Sequence, residues 1–140
     1  MTPLRLTDIE TALYDSWGAD TADPRSGEPW LPGNPERDQC GVTALVLNDL
    51  LGGELICAEV HVDGVRTGYH WWNRLDSGFD IDLTRNQFLP GETLTEGVAV
   101  TRPTEIRHCR EEYELLRSRV LHRLAERGGN VAVAAAHATS

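Results

Sequence analysis

The sequence predicts an α+β fold in which an antiparallel sheet of about three to five strands packs against three helices. Apolar residues at helical spacing near both ends predict two of the helices, and a third pattern begins at Cys40. Two strand-like runs joined by Asp63-Gly64 predict a hairpin. The length of 140 residues suits one domain. We expect this domain to span residues 1–130 and the stretch 131–140 to be disordered.

The first helix is predicted to begin at a capping box and the second at a cysteine. Thr7-Asp8-Ile9-Glu10 has the capping-box pattern with Thr7 as the N-cap, and Gly18 ends the helix. The second helix is predicted from Cys40 or Gly41 to Leu51, where two glycines stop it.

Residues 18–38 separate the two helices and carry four Pro and three Gly without periodicity. Structureless loops of this length are uncommon in small domains unless they are functional, which predicts an ordered loop or lid. We expect Trp30 to anchor it.

Strands are predicted over Leu55–Val62 and Val65–Leu75, and a third strand begins at Phe79 after a turn at residues 76–78. The two turns fix a register in which Val62 opposes Val65 and Leu75 opposes Phe79. In that register Cys57 lies directly opposite His70. One face is then polar and carries Cys57, Glu59, His61, Arg66, His70, Trp72, Arg74, Asp80 and Asp82.

The rest of the chain is predicted to be a connection, one short strand and a long helix. The short strand is Val98-Ala99-Val100, and the helix begins at Pro103-Thr104-Glu105 and ends at Gly128-Gly129. His108 and His122 are expected on the surface of this helix. Its apolar stripe is Cys109, Tyr113, Leu116, Val120 and Leu124.

Composition narrows the function classes. A net charge of −9 argues against a nucleic-acid partner. No run approaches the roughly 20 apolar residues of a membrane span, and the N-terminus lacks signal-peptide character, so we expect a cytoplasmic protein. Three cysteines without metal-type spacing predict free thiols and no cofactor. The expected partner is a small-molecule or peptide substrate, and the expected state is a monomer or small homo-oligomer.

Cys40, His70 and Asp82 are the predicted catalytic residues. Cys40 lies at a helix N-terminus, where the helix dipole favours a thiolate. Asp82 is the diagonal neighbour of His70 in the predicted register. A carboxylate that orients an imidazole, which in turn accepts a thiol proton, activates a cysteine for attack on a carbonyl. The pattern therefore predicts cysteine-dependent acyl transfer on an amide or thioester.

Other residues are predicted to support this chemistry. The Gln39 side chain, with the backbone N–H of Cys40 or Gly41, is expected to stabilise an oxyanion. Trp30, Trp72, Cys57 and Asp80 are expected to line the pocket, Asp80 also being the weaker candidate for the carboxylate.

Three other interpretations remain open from the residues alone. In the first interpretation, the three residues have ordinary structural roles: Cys40 is a buried thiol, His70 a strand residue and Asp82 a carboxylate near a turn. A binding module would use the same cleft without chemistry. A zinc site is the third, because two histidines, a cysteine and a carboxylate are acceptable ligands, here Cys57, His61, His70 and Asp82.

Several motifs resemble the YunG family of small bacterial proteins. They are Gln39-Cys40 with Thr43, Leu50-Leu51-Gly52-Gly53, His70-Trp71-Trp72-Asn73, and Ile81-Asp82-Leu83-Thr84 with Gln87-Phe88. Trp71 replaces the family's usual Tyr, and Asp38 replaces a small residue. The similarity extends over about residues 17–120.

More distantly, the segment from Cys40 to Thr84 is similar to the transglutaminase-like branch of papain-fold enzymes. That resemblance implies a papain-like α+β core, with Cys40 as nucleophile, His70 as base and Asp82 as orienting carboxylate. It implies no particular substrate, because fold similarity does not define activity.

Overall fold

Three helices and a five-stranded antiparallel sheet make up the fold in the computed structural model, which describes residues 5–26 and 28–126. No helix in these ranges is long and apolar enough to cross a membrane. The predicted tail at 131–140 and the stop at Gly128-Gly129 lie outside the described residues. In chain order the elements are α1 (Leu6–Ser16), α2 (Cys40–Leu51), β1 (Glu54–Val62), β2 (Val65–Arg74), β3 (Asp80–Ile81), β4 (Glu92–Leu94), β5 (Val98–Val100) and α3 (Arg110–Glu126).

The sheet is built around the β1–β2 hairpin. Strand order is β3-β2-β1-β4, and β5 pairs with the start of β1 while β4 pairs with its end. Asp63 and Gly64 have φ values of 51° and 78°, as a two-residue hairpin turn of the mirror-image type requires. This confirms the predicted turn. Strand β4 was not predicted, and β3 is shorter than expected.

A β-bulge changes the predicted face assignment. Val62 pairs with Val65 as predicted, but the register shifts between Val60 and His61, so that Ala58 pairs with His70. The prediction that Cys57 lies opposite His70 is therefore wrong: Cys57 pairs with Trp71, on the other face of the sheet. Glycine inside a strand weakens the ladder and often marks a bulge, and Gly68 occupies this position.

The main core lies where the helices meet one another and the sheet. α1 and α2 both pack on α3, and α2 also packs on β2. Asn73 fixes the α2–β2 contact, because its buried Nδ2 donates to the Ala44 carbonyl at 2.8 Å. Buried hydrophobic residues of this cluster are Ile9, Ala12, Leu13, Trp17, Val42, Val46, Leu47, Ile81, Tyr113, Leu116, Val120 and Leu124.

The first and last helices begin elsewhere than predicted. α1 has Arg5 rather than Thr7 as its N-cap, and the Asp8 carboxylate accepts the Arg5 backbone N–H at 3.0 Å. α3 begins at Arg110, so the predicted start at residues 103–105 is wrong. Cys109 has a φ of 56°, a left-handed conformation that a right-handed helix cannot contain, and its carbonyl accepts the Tyr113 N–H. His108 therefore precedes the helix.

The glycine pair after α2 gives a first testable prediction. Gly52 and Gly53 have φ values of 72° and 86°, and a Cβ added at Gly53 would lie 2.4 Å from the Arg74 carbonyl oxygen. A Cβ at Gly52 meets nothing within 4 Å. We expect Gly52→Ala, which adds backbone strain alone, to lower the free energy of unfolding by about 1–3 kcal/mol, and Gly53→Ala, which adds the clash with the Arg74 carbonyl, to lower it by about 2 kcal/mol more. Denaturant titration of both variants measures this difference, and equal losses would contradict it.

Candidate active site

Cys40 is the first residue of α2 and faces an open groove. The helix begins at this residue, so the N–H groups of its first turn have no carbonyl partner within the helix. The half-buried thiol donates to the Tyr69 carbonyl of β2, with 3.7 Å between sulfur and oxygen. A helix N-terminus thus meets the β2 backbone at a cysteine.

His70 lies on β2 with its side chain fully buried, and it bonds a carboxylate. Its Nε2 lies 2.5 Å from Asp82 Oδ2. Burial lowers the pKa of His70, but the hydrogen bonds with Asp82 and Cys40 outweigh burial and raise this pKa to about 9. The structure therefore brings together the three residues that the sequence nominated as catalytic.

Asp82 is itself held in place. Its Oδ1 accepts the backbone N–H of Thr84 at 3.3 Å and the Thr84 hydroxyl at 3.4 Å, while Oδ2 remains on His70. Thr84 is buried. This local bonding of an aspartate to a residue two positions later is a common turn. It gives the Asp82-Leu83-Thr84 motif a physical purpose, which is to aim one carboxylate oxygen at the imidazole.

Gln87 is the site residue that sequence reasoning missed as a participant. Its amide orientation is fixed, because Oε1 accepts the Asp38 N–H and Nε2 donates to the Thr84 carbonyl. The same Nε2 lies 3.2 Å from His70 Nδ1. In the neutral imidazole Nδ1 is therefore the acceptor, and the one ring proton lies on Nε2 toward Asp82. The only sequence signal for Gln87 was its place in a family motif.

Two aromatic rings enclose the imidazole. Phe88 packs edge-on with its ring centroid 4.7 Å from that of His70, and Trp72 lies 5.5 Å away in a tilted arrangement. Trp72 shares the His70 face of β2, as predicted. These contacts restrict rotation of the ring, so that the two nitrogens keep separate partners.

A groove with a cavity volume of about 470 Å³ opens beside the thiol. The loop between α1 and α2 forms one wall, β2 another, and the segment before α3 a third. The loop is anchored by an Arg37–Glu92 ion pair at 2.7 Å and by Asn34, whose amide donates to the Gln87 carbonyl. Among the described residues that line the groove are Cys40, Gly41, Tyr69, Trp71, Gln87 and Cys109.

The two predicted oxyanion residues have different surroundings. Gly41 is among the residues that line the groove. Gln39 is fully buried, and its amide joins the Gly18 carbonyl and the Thr21 hydroxyl at 2.9 and 2.8 Å. The expectation that the Gln39 side chain serves the oxyanion is therefore not met, because that side chain fastens the loop to α2.

Three predicted pocket residues lie away from the groove. Trp30 donates its indole N–H to the Pro35 carbonyl and so closes the loop on itself. Trp72 donates to Asp80, which also pairs with Arg74 at 2.7 Å. None of these three residues is among the described residues that line the groove. For Trp72 the reason is the alternation of side chains along β2, which directs it to the face opposite that of Trp71.

Cys57 is a buried neighbour of the site and not part of its lining. Burial, together with the nearby Cys40 and Glu59, raises the pKa of Cys57 to about 11. A thiol in this state is protonated at neutral pH and a poor nucleophile. Its position opposite Trp71 corrects the sequence prediction, since the bulge moves it off the His70 face.

The zinc set considered from sequence is not assembled. Cys57 and His61 both lie on the face of the sheet opposite to that of His70. His61 Nε2 pairs with the Glu59 carboxylate at 2.8 Å. In residues 5–26 and 28–126, His, Cys and carboxylate atoms converge with metal-like spacing at Asp23, His108 and Cys109 instead.

The fold and the site define an α+β protein with a cysteine, a histidine and an aspartate clustered at the edge of a groove. The chain belongs to the YunG family, since the family model described as YunG protein matches residues 5–125. No curated protein matches the chain, and no solved structure matches it.

Proposed function

We propose that the protein is a cysteine-dependent acyl-transfer enzyme acting on an amide or thioester. The observation that carries the proposal is the arrangement around His70: Nε2 lies on Asp82, Nδ1 is the acceptor side of the neutral ring, and the nearby Cys40 contributes to the raised pKa of the imidazole. An imidazole with its proton held toward a carboxylate is prepared to accept a second proton at the other nitrogen. Cys40 is the group that supplies it.

The reaction follows from these positions. The Cys40 thiol gives its proton to His70 Nδ1, and the sulfur forms a bond to the substrate carbonyl carbon. The backbone N–H groups of Cys40 and Gly41 then stabilise the oxyanion. When the tetrahedral intermediate collapses, the bond to the leaving nitrogen or sulfur breaks, and His70 returns the proton to that atom. Water or another acceptor then removes the acyl group from the Cys40 thioester.

The proposal takes its assignment of roles from the resemblance to papain-fold enzymes of the transglutaminase-like branch, in which cysteine on a helix is followed by histidine and aspartate on adjacent strands. In the proposal Gln87 keeps His70 in the required tautomer. It must release Nδ1 as the imidazole accepts the proton, because two donors cannot share one hydrogen bond. A small-molecule or peptide substrate suits a groove of about 470 Å³.

A binding module without chemistry is the second candidate, and one observation favours it. In the structure Gln87 occupies the acceptor nitrogen that the reaction needs, while the Cys40 thiol donates to the Tyr69 carbonyl. If this state were permanent, the groove would hold a ligand and transfer nothing.

Trapping the acyl-enzyme tests the proposal. After incubation with an activated ester or a simple thioester, peptide mass spectrometry is expected to locate the acyl group on Cys40. Cys57→Ser is the matched control: it removes a neighbouring thiol and is expected to leave acylation unchanged, whereas Cys40→Ser abolishes the Cys40 thioester. Acylation confined to Cys57 or Cys109, or no acylation of a folded protein, would reject the enzymatic proposal.

A further inference from the structure

We propose that Asp23, His108 and Cys109 form a zinc site on the wall of the groove that contains Cys40. The three residues come from two segments that are far apart in sequence, the loop after α1 and the turn before α3. One ligand atom from each lies within 4.8 Å of the other two. The proposal does not depend on acyl transfer, because its readout is metal binding.

The geometry resembles a convergent ligand set more than a proton relay. His108 Nε2 lies 3.0 Å from Asp23 Oδ2 and 3.2 Å from Cys109 Sγ, so one nitrogen faces both partners. A relay would use both ring nitrogens, as His70 does. Tetrahedral zinc bond lengths place nitrogen about 3.4 Å from oxygen and about 3.6 Å from sulfur. Both His108 distances would open by about 0.4 Å around the ion, and the Asp23 oxygen and Cys109 sulfur, which lie within 4.8 Å of each other, would need to be about 3.6 Å apart.

The donor chemistry suits zinc. A thiolate, a neutral imidazole and a carboxylate are all zinc ligands, and the thiolate disfavours the hard ions Mg²⁺ and Ca²⁺. One thiolate and one carboxylate cancel the two charges of Zn²⁺. Three protein ligands leave a fourth position open, the arrangement of zinc sites that bind water or substrate.

The backbone conformation of Cys109 and the location of the three residues also support a zinc site. Cys109 holds a φ of 56°, which is costly for a residue with a Cβ and is typical of functional positions. Asp23, His108 and Cys109 all line the groove beside Cys40. A zinc ion there would present its open position to the groove, where it would take a carboxylate or carbonyl oxygen of a substrate or a water molecule.

Removing single thiols tests the site. We expect wild type to bind one Zn²⁺ in competition with a chromophoric chelator, and Co²⁺ to give a thiolate-to-cobalt charge-transfer absorption. Cys109→Ser should lose this absorption and weaken Zn²⁺ binding by more than the 10- to 100-fold typical of losing a supporting residue. Asp23→Asn, a loop substitution, should weaken binding without unfolding α3. Cys40→Ser and Cys57→Ser are the matched controls and should bind as wild type does.

Several results would overturn the proposal. They are an unchanged cobalt absorption in Cys109→Ser, loss of that absorption in Cys40→Ser, and wild-type Zn²⁺ binding no tighter than that of Cys109→Ser. A cysteine must lose its thiol proton to bind zinc. Zinc binding should therefore release a proton, which calorimetry in buffers of different ionisation enthalpy detects.

Discussion

In a Cys40→Ser background, in which no thiol proton can pass to the imidazole, the free energy of unfolding is expected to fall between pH 6.5 and 9 as His70 loses its charge. The folded pKa of His70, about 9, is above the unfolded value of 6.5. A raised pKa stabilises the fold fully below the unfolded value, and this stabilisation is lost as pH rises through the folded value. Denaturant titrations across this range measure the slope. In wild type a proton that passes from Cys40 to His70 leaves the number of bound protons unchanged, so the Cys40→Ser background isolates the imidazole.

Two matched replacements of an aspartate by asparagine test whether Asp82 causes this pH dependence. Asp82→Asn removes the carboxylate on His70 and should flatten the pH dependence, because burial alone then governs the imidazole. Asp80→Asn removes a carboxylate two positions away that pairs with Arg74, and it should leave the slope unchanged. Equal slopes with and without Asp82→Asn in the Cys40→Ser background would contradict the role given to this pair.

Replacing His70 by Ala is expected to slow alkylation of Cys40 by iodoacetamide about 100-fold at pH 7, the size of a general-base contribution. In the proposed mechanism the imidazole takes the thiol proton, so its loss would leave Cys40 without an acceptor. Rates are measured for each cysteine by peptide mass spectrometry. Cys57 and Cys109, whose pKa values are raised to about 11 and 12, should react slowly in every variant.

The control for this variant is His61→Ala. His61 also lies on the sheet and also pairs with a carboxylate, Glu59, at 2.8 Å, but it lies on the face opposite His70. It should leave the Cys40 rate within about twofold of wild type, as expected of a residue outside the proton path. A similar slowing by both substitutions would show a general effect of stability and would reject the specific role of His70.

The pairing of His70 with Asp82 could be predicted because it depends on one local turn. Leu75 donates its N–H to the Phe79 carbonyl at 2.8 Å, and Asn73 pairs with Ile81, which is the register that the turn at residues 76–78 predicts. No bulge intervenes between His70 and this turn. Local turn chemistry was sufficient here.

The position of Cys57 could not be predicted in the same way, because the β1–β2 hairpin contains a bulge. One extra residue near Gly68 reverses the face of every position beyond it. A glycine within the strand was the available signal, and its weight against a regular ladder could not be judged from propensity alone.

The site contacts that could not be predicted from the sequence join residues that are far apart in the chain. Gln87 reaches His70 across 17 residues, and its role depends on Asp38 and Thr84 fixing its amide. His108 meets Asp23 across 85 residues, and this pairing depends on a turn that begins α3 later than its apolar stripe suggests. Periodicity reports which face is buried, but it does not report which distant loops meet.

The pH dependence of Cys40 alkylation in wild type and His70→Ala tests the central claim most directly. We predict that wild-type Cys40 stays reactive at pH values well below the ordinary thiol pKa of about 8.5. In His70→Ala we expect the rate to rise only near that pH. Identical profiles near about 8.5 in both proteins would contradict an activated thiol and favour the binding module.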